Sequence, residues 1–555
     1  MNRLALTAFA TASLCASCSD TSPLRAKAGG ADASRVIADA RVASDPDAAL
    51  EVGFQPPPHR DAGVDAARAF DASPGPDARS DLDAHLADAG DAAQPRTYAT
   101  IAEAALATMT GTYYGAAKWN ICIPDLGCGS TDQDWGAGAL TYALYLRWEL
   151  SKDAEIPPLL SALNAAGPVY GTCTATSCNS WSDVPSWDSI AASREYEVTG
   201  DPSALSRAEA AFDFVDTATQ FALGACPAID YQIPAGGGNQ LKTLETDSNY
   251  IKAALLLYAA TSTPAYLTKA TTKYASVRQY FLDPSVALYT VYVVDDGTTC
   301  TQIPRRFFAS VNGNMILDGL MLADATGDMT YRSDALATGQ AVASLLSDPS
   351  GIYENLQAEN DVVEPLVEAF YRLATTEAQP FASEWILTNA NASAFDVTSE
   401  GSYGRFWGGP APTATTTIWQ ANGGFALAFA AAALAPTEGP TGPDVWSNAV
   451  VTQSDITTLP ASITFEGSAI ALFGTIGEDC CESGHAQLFI DGVQSFDQTG
   501  IWQDKSVSGH PIPSSVLFAW RWPTRGSHTI GFQPGITNSK EGTSFLHLQS
   551  YEVVP

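Results

Sequence analysis

The chain reads as a multidomain protein, with an all-α domain of repeated helical hairpins followed by an all-β sandwich of the jelly-roll kind. Three observations predict this. Between Tyr98 and Pro436 apolar residues recur at helical spacing in segments joined by short polar connections. One connection recurs at near-equal intervals, at Thr199, Thr261 and Thr326. After Pro436 the pattern changes to short alternating segments separated by turn residues. A length of 555 residues exceeds what one hydrophobic core usually serves, so two folded parts suit it.

The helical segments are Trp135 to Leu150, Ile190 to Val198, Ala204 to Phe221, Tyr250 to Ala260, Tyr266 to Phe281, Met315 to Ala325, Tyr331 to Leu346, Val362 to Leu373 and Ile418 to Leu434. Their spacing implies about a dozen helices in all. In Glu197-Val-Thr-Gly-Asp-Pro202 and Asp324-Ala-Thr-Gly-Asp-Met329 one helix ends on Gly and the next is capped by Asp. Pro202 suits a first helical position. Repeated hairpins of this kind build either an open solenoid or a closed ring, and periodicity does not choose between them.

Ahead of the helices, residues 1–18 read as a secretory signal, with a short basic start at Asn2-Arg3 and an apolar run from Leu4 to Leu14. Ala16-Ser17-Cys18 resembles the end of a bacterial lipobox, although Cys15 stands where Leu is usual. The expectation is lipidation at Cys18, with plain cleavage and secretion as the alternative. Residues 19–97 are dominated by Ala, Asp, Pro and Gly and read as a disordered tether. The chain is thus expected outside the cytoplasm, as an outer-membrane or cell-surface lipoprotein or a secreted protein. Its only membrane contact would be that anchor.

A net charge of −33 argues against nucleic acid as a partner, since phosphate binding needs clustered Lys and Arg. Cys122 with Cys128, and Cys173 with Cys178, are close pairs in polar stretches and suit local disulfides; Cys226 and Cys300 suit a third, while Cys480-Cys481 has no evident partner. No Cys has zinc-ligand spacing with a His, and no metal or other cofactor is expected. No His lies between Tyr98 and Pro436, which excludes Ser-His-Asp and Cys-His catalysis there. Carboxylates remain, and glycosidic hydrolysis needs only a pair of them.

The best carboxylate cluster is Ser180-Trp-Ser-Asp-Val-Pro-Ser-Trp-Asp188, where a loop enters a helix. Trp181 and Trp187 beside Asp183 and Asp188 make the mixture a sugar site uses, rings for the apolar sugar face and acids for proton transfer. The plainer reading is a core Trp and helix-capping Asp residues. Asp134 beside Trp135 is a second such start, with N-capping as its simpler account.

These segments, in order, resemble glycoside hydrolase family 76, the endo-α-1,6-mannanases. The matches are Asp183, Trp187 and Thr199-Gly200-Asp201; Lys242 with Ser248-Asn249; Ser310-Val-Asn-Gly313, containing Asn312; and Phe406-Trp407-Gly-Gly-Pro410. The resemblance covers nearly the whole helical region. It implies a closed α/α toroid of about six hairpins at 98–436 acting as a monomer on an α-linked mannan-type polysaccharide. It further implies Asp183 as acid/base and Trp181, Ser182, Trp187, Asp134, Trp135, Lys242, Asn249, Asn312 and Trp407 as substrate-binding residues. One position departs: Ser182 stands where the family has its nucleophilic Asp. Asp188, Asp134 or Glu245 would then take the role, or the mechanism inverts, or the domain binds glycans without cutting them.

A Pro/Gly linker at 437–445 leads into the β region at 446–555. Ser462 to Glu466, Ile470 to Gly474, Ala486 to Ile490, Val516 to Trp520, His528 to Phe532 and Ser544 to Leu548 read as strands. Phe465-Glu-Gly467, Phe489-Ile-Asp-Gly492 and Gly526-Ser-His-Thr529 resemble galactose-binding-like accessory modules, which implies a carbohydrate-binding role. Trp502, Trp520 and Trp522 would supply a stacking face, with Trp520 the one most at home in the core.

Overall fold

The computed structural model describes residues 96–555, apart from 116, 121, 124–134, 166–181, 219–224, 230–240, 355–361, 414–415, 477–485, 497–499, 502, 504–510 and 536–545. The signal with Cys18 and nearly all of the tether lie outside the described residues, as do Asp134, Trp181, Cys128, Cys173, Cys178, Cys480, Cys481 and Trp502. Among the described residues no helix is long and apolar enough to cross a membrane.

The helical part contains α1 (Tyr98–Thr108), α2 (Trp135–Ser151), α3 (Ile156–Ala165), α4 (Asp183–Thr199), α5 (Pro202–Ala218), α6 (Leu244–Thr261), α7 (Pro264–Tyr280), α8 (Ala309–Thr326), α9 (Met329–Leu345), α10 (Glu364–Thr375), α11 (Pro380–Ser393) and α12 (Ile418–Leu434). The even-numbered helices pack in succession, and α12 returns to pack on α2. That contact closes the ring and excludes the open solenoid. The odd-numbered helices form an outer layer, each on its inner partner, with α1 covering α12. The backbone N–H of Tyr98 donates to Glu438 O at 2.7 Å, which fastens the start of the ring to its end.

The repeated Thr explains why the hairpins turn alike. Thr199, Thr261 and Thr326 each donate their hydroxyl to a carbonyl four residues earlier, at 2.8, 2.7 and 2.7 Å. Each hydroxyl then accepts the N–H two residues on, from Asp201, Thr263 and Asp328. Between them the chain reverses through a left-handed residue: Gly200 at φ +71°, Ser262 at φ +56° and Gly327 at φ +76°. These tight turns place three of the inner-to-outer connections on one face of the ring. The longer outer-to-inner connections gather on the other.

Close approach between inner helices depends on small residues. A Cβ at Gly313 of α8 would lie 2.3 Å from Leu366 N of α10, so these two backbones meet with nothing between them. Farther round, Phe370, Trp385, Tyr353 and Trp407 form an aromatic cluster, with Phe370 and Trp385 ring centroids 4.1 Å apart.

Before α6 runs β1 (Leu241–Thr243), which pairs antiparallel with β2 (Tyr292–Asp295), itself paired with β3 (Cys300–Gln302). Cys226 is joined to Cys300 at an S–S distance of 2.11 Å, so the segment ahead of β1 is tied to this small sheet.

The C-terminal part is a six-stranded antiparallel sheet of β4 (Val450–Ile456), β5 (Ala461–Ile476), β6 (Ala486–Ile490), β7 (Val493–Gln494), β8 (Ile512–Pro534) and β9 (Leu548–Val554), ordered β4-β9-β5-β8-β6-β7. Ser462 to Glu466 and Ile470 to Gly474 prove to be one strand, and Val516 to Trp520 continues unbroken to His528 to Phe532. Gly467, a turn residue by sequence, is instead where the β5–β8 register shifts. A bulge there bends the strand without ending it. Ile470, Leu472, Leu488, Phe518, Ile530, Phe532 and Leu548 fill the core of this part.

Candidate active site at the mouth of the ring

All six inner helices begin on the face of the long connections, so their first turns surround one mouth. Four of those first turns hold buried polar groups: Asp183 is 1% exposed, Glu245 2%, and Ser310 and Glu364 0%. The first turn of an ordinary surface helix sheds its polar side chains into water. Burial of these groups costs free energy, and the residues that stay there are the ones to examine for function.

Asp183 opens α4, with Ser182 before it and Val184 after it, so it is the single acid at this point. Among the described residues neither carboxylate oxygen has a side-chain hydrogen-bond partner, and burial raises its pKa to about 7, outweighing the backbone N–H groups of Asp183 and Val184 that favour the charged form. A carboxyl in that state holds its proton near neutral pH and can give it to a leaving oxygen. The Ser182 hydroxyl lies 2.9 Å from that of Thr246, which ties the start of α4 to the first turn of α6. Thr243 at the end of β1 caps α6 by accepting the Glu245 N–H at 3.2 Å. Glu245 in turn accepts the Ser310 hydroxyl of α8. Asp183, Glu245 and Ser310 thus sit on three successive inner helices whose first turns are bonded to one another.

One helical turn deeper, about 6 Å along each axis, Asn314 of α8 donates to Asn249 Oδ1 of α6 at 2.7 Å. Deeper again the ring is filled by a charge network around Glu368 of α10. Its carboxylate receives Arg194 of α4 at 2.9 Å, Arg372 at 3.1 Å and Lys252 of α6 at 3.4 Å, together with the Tyr142 hydroxyl of α2. Burial alone would raise the Glu368 carboxyl, but Lys252, Arg194 and Arg372 outweigh it and hold it well below the usual carboxylate range. Burial lowers Lys252 to about 8, and pushes the neighbouring Asp318 carboxyl well above its usual value. Charged residues set in apolar helix runs, such as Lys252 within Tyr250 to Leu257, were the sequence signal for this network, and helical periodicity alone passes over it.

The other expected site residues separate into groups. Asp188 is five residues beyond Asp183 and points outward, 3.8 Å from Arg207 of α5; burial raises it to about 7 against the pull of Arg207. It therefore faces the outer layer and is not placed as a partner across the mouth. Asn312 spends its amide on backbone, donating to Tyr289 O and Phe308 O and accepting the Tyr289 N–H, so it holds the loop ahead of α8. Trp407 belongs to the aromatic cluster and packs against Tyr353 and Trp385. Trp187 is fully buried one turn below Asp183, edge-on to Tyr142 at 6.5 Å. Asn249 lies beneath Glu245, as described. Lys242 is buried on β1, near enough to Asp247 to lower its carboxyl, though burial of Asp247 is the larger effect and raises it. Trp135 opens α2 at the mouth. Among the described residues no three His, Cys, Asp or Glu side chains gather as metal ligands.

Comparison with known proteins agrees with this architecture. The model of Glycosyl hydrolase family 76 matches residues 97–435. The GH76A α-1,6-mannanase from Salegentibacter sp. HEL1_6 superposes with a TM-score of 0.53 at 20% identity, covering 61% of this chain and 99% of that one. Its variant with two consecutive aspartates replaced is described as inactive and was solved in complex with α-1,6-mannotetrose. The GH76 α-mannanase of Bacteroides thetaiotaomicron gives a TM-score of 0.52 at 18% identity over 61% of this chain and 96% of its own. The Lin0763 protein of Listeria innocua gives 0.53 at 17% identity over 61% and 98%. Among curated proteins none matches. With a family match over most of its length, a closed ring of helical hairpins and a buried acid at the mouth, the chain belongs to glycosyl hydrolase family 76.

Proposed function

We propose that this chain hydrolyses internal linkages of an α-1,6-linked mannan, with Asp183 as the acid and Glu245 as the second carboxylate. The observation that carries the proposal is the Asp183 carboxyl, buried, without a side-chain hydrogen-bond partner among the described residues, raised to about 7 and set at the mouth. Asp183 gives its proton to the glycosidic oxygen as the bond to the anomeric carbon breaks. Ser182 carries no charge to steady the oxocarbenium-like centre, so that work falls to Glu245 on the next helix. Glu245 takes a proton from the water that attacks the anomeric carbon, and the Ser310 hydroxyl holds it in place. Mannooligosaccharide binding by the Salegentibacter relative supports the sugar class. An exported monomer, lipidated at Cys18 and standing off on the 19–97 tether, would suit a polymeric substrate, and the galactose-binding-like motifs of the β part suit a secreted carbohydrate enzyme.

A second reading is favoured by one specific observation. Asp183 has a non-acidic residue on each side, unlike the adjacent aspartates of the relative, and a glycan-binding protein without turnover would need no pair. Release of reducing ends from α-1,6-mannan decides between them. Hydrolysis is expected from the wild-type protein and lost, by about a thousandfold or more, in both Asp183→Asn and Glu245→Gln. Saturable mannan binding with no release by the wild type would replace the hydrolase reading with the binding one.

A further inference from the structure

We infer that the C-terminal β part is a built-in brace of the mouth, positioning the first turn of α8, and not a carbohydrate module hung on a flexible linker; the catalytic side of this inference rests on the hydrolase reading above. The two parts exchange aromatic side chains. Phe406, from the connection ahead of α12, lies in the apolar core of the β part, edge-on to Phe518 at 6.3 Å. Phe496, just after β7, packs on the core of the helical ring and stacks on Phe307 at 5.7 Å and 17°. The Arg305 guanidinium covers the Phe496 ring at 4.4 Å.

Polar bonds reinforce the exchange. Ser495 donates its hydroxyl to Glu354 at 3.2 Å, in the connection ahead of α10. The Arg521 backbone N–H donates to Asp348 at 3.0 Å, and its side chain donates to Gly408 O at 2.6 Å. Trp446 Nε1 donates to the same carbonyl at 3.0 Å. Every one of these contacts falls on a mouth-side connection: 303–308 ahead of α8, 346–354 ahead of α10, and 396–409 ahead of α12. None falls on the short turns of the opposite face. A module that merely delivered an enzyme to its substrate would have no reason to interlock with three successive loops of the reactive face.

The segment under Phe496 matters most. Phe307 and Phe308 lead straight into α8, whose Ser310 holds Glu245. Loss of the Phe496 stack frees that segment, and small displacements of a group that positions a reacting carboxylate reduce turnover steeply. Phe496 and Ser495 are therefore positioning residues, acting through Phe307 and Glu354.

The test uses the full chain with Phe496→Ala, Phe496→Tyr and Ser495→Ala. Hydrogen–deuterium exchange of peptides covering residues 303–316 and the kcat and KM on α-1,6-mannan are measured together. Phe496→Ala is expected to speed exchange of that segment and lower kcat by about tenfold, with KM within about twofold of wild type. Phe496→Tyr keeps the stack and restores both, while Ser495→Ala gives a smaller loss. Unchanged exchange at 303–316 in Phe496→Ala would overturn the brace, as would faster exchange with kcat unaltered. Should the wild-type chain fail to cut mannan while Phe496→Ala still loosens 303–316, the hydrolase reading falls and the brace stands.

Discussion

Replacing Asp183 by Asn should make the folded ring more stable, and by an amount that depends on pH in a defined way. In the folded chain the carboxyl sits at about 7, against 3.8 for the free side chain. For an acid raised on folding, the native state binds more protons than the unfolded state between those two values, so stability falls as pH rises through that window. The destabilisation from ionising Asp183 is near zero at pH 3, about 2 kcal/mol at pH 5 and about 4 kcal/mol at pH 8, where it levels off. Asn cannot ionise, and whatever its amide costs in the same pocket is constant with pH. Urea unfolding followed by circular dichroism at 222 nm, which reports the helices, is the assay, run on wild type and Asp183→Asn at several pH values. The difference in unfolding free energy should grow from pH 3 to pH 7 and then stay flat. A difference that does not change with pH would refute the reasoning, because the carboxylate would then be solvated or paired. The same ionisation predicts an alkaline limb in mannan hydrolysis near pH 7, since the acid must hold its proton to act.

Other expectations follow from the packing. Glu368→Gln removes the anion that Arg194, Arg372 and Lys252 share, and leaving those buried cations without it should cost about 3–5 kcal/mol in the same urea assay. Gly313→Ala would drive a methyl group into the Leu366 backbone; the helices cannot part without opening the ring, so a loss of several kcal/mol, about 3 or more, or failure to fold is expected. Cys226→Ser opens a bridge between residues 74 apart and should lower stability by about 2–5 kcal/mol, with dithiothreitol producing a larger shift in wild type than in the variant.

The hairpins were legible because their turns carry local signals. Gly200 and Gly327 end helices in the left-handed conformation, and the Thr before each repeats the same pair of hydrogen bonds. The starts of α2 and α12 were legible, at Trp135 and Ile418, but those of three other inner helices were not. Apolar spacing begins α4 at Ile190, α6 at Tyr250 and α8 at Met315, whereas the helices begin at Asp183, Leu244 and Ala309. In each case the missing turns are polar residues buried at the mouth, where the usual link between polarity and exposure is broken. The outer helices α1, α3 and α11 were passed over; α3 and α11 open on proline-containing turns. Asp188 misled for a related reason: side chains five apart on a helix diverge by about 140°, which spacing in a loop-like segment does not reveal. The closure of the ring and the exchange of Phe406 and Phe496 join residues far apart in sequence and left no local trace, while the Glu368 network showed only as charges such as Lys252 set in apolar helix runs.

The clasp of α1 onto α12 gives the ring a seam held by backbone bonds from Tyr98 to Glu438 and from Ala99 to Pro436. Its two ends are neighbours, so the order in which the hairpins are synthesised is not written into the architecture. A circular permutant joined by a short peptide across the seam and opened at Gly200-Asp201, on the face away from the mouth, would trace the same circle from a different origin.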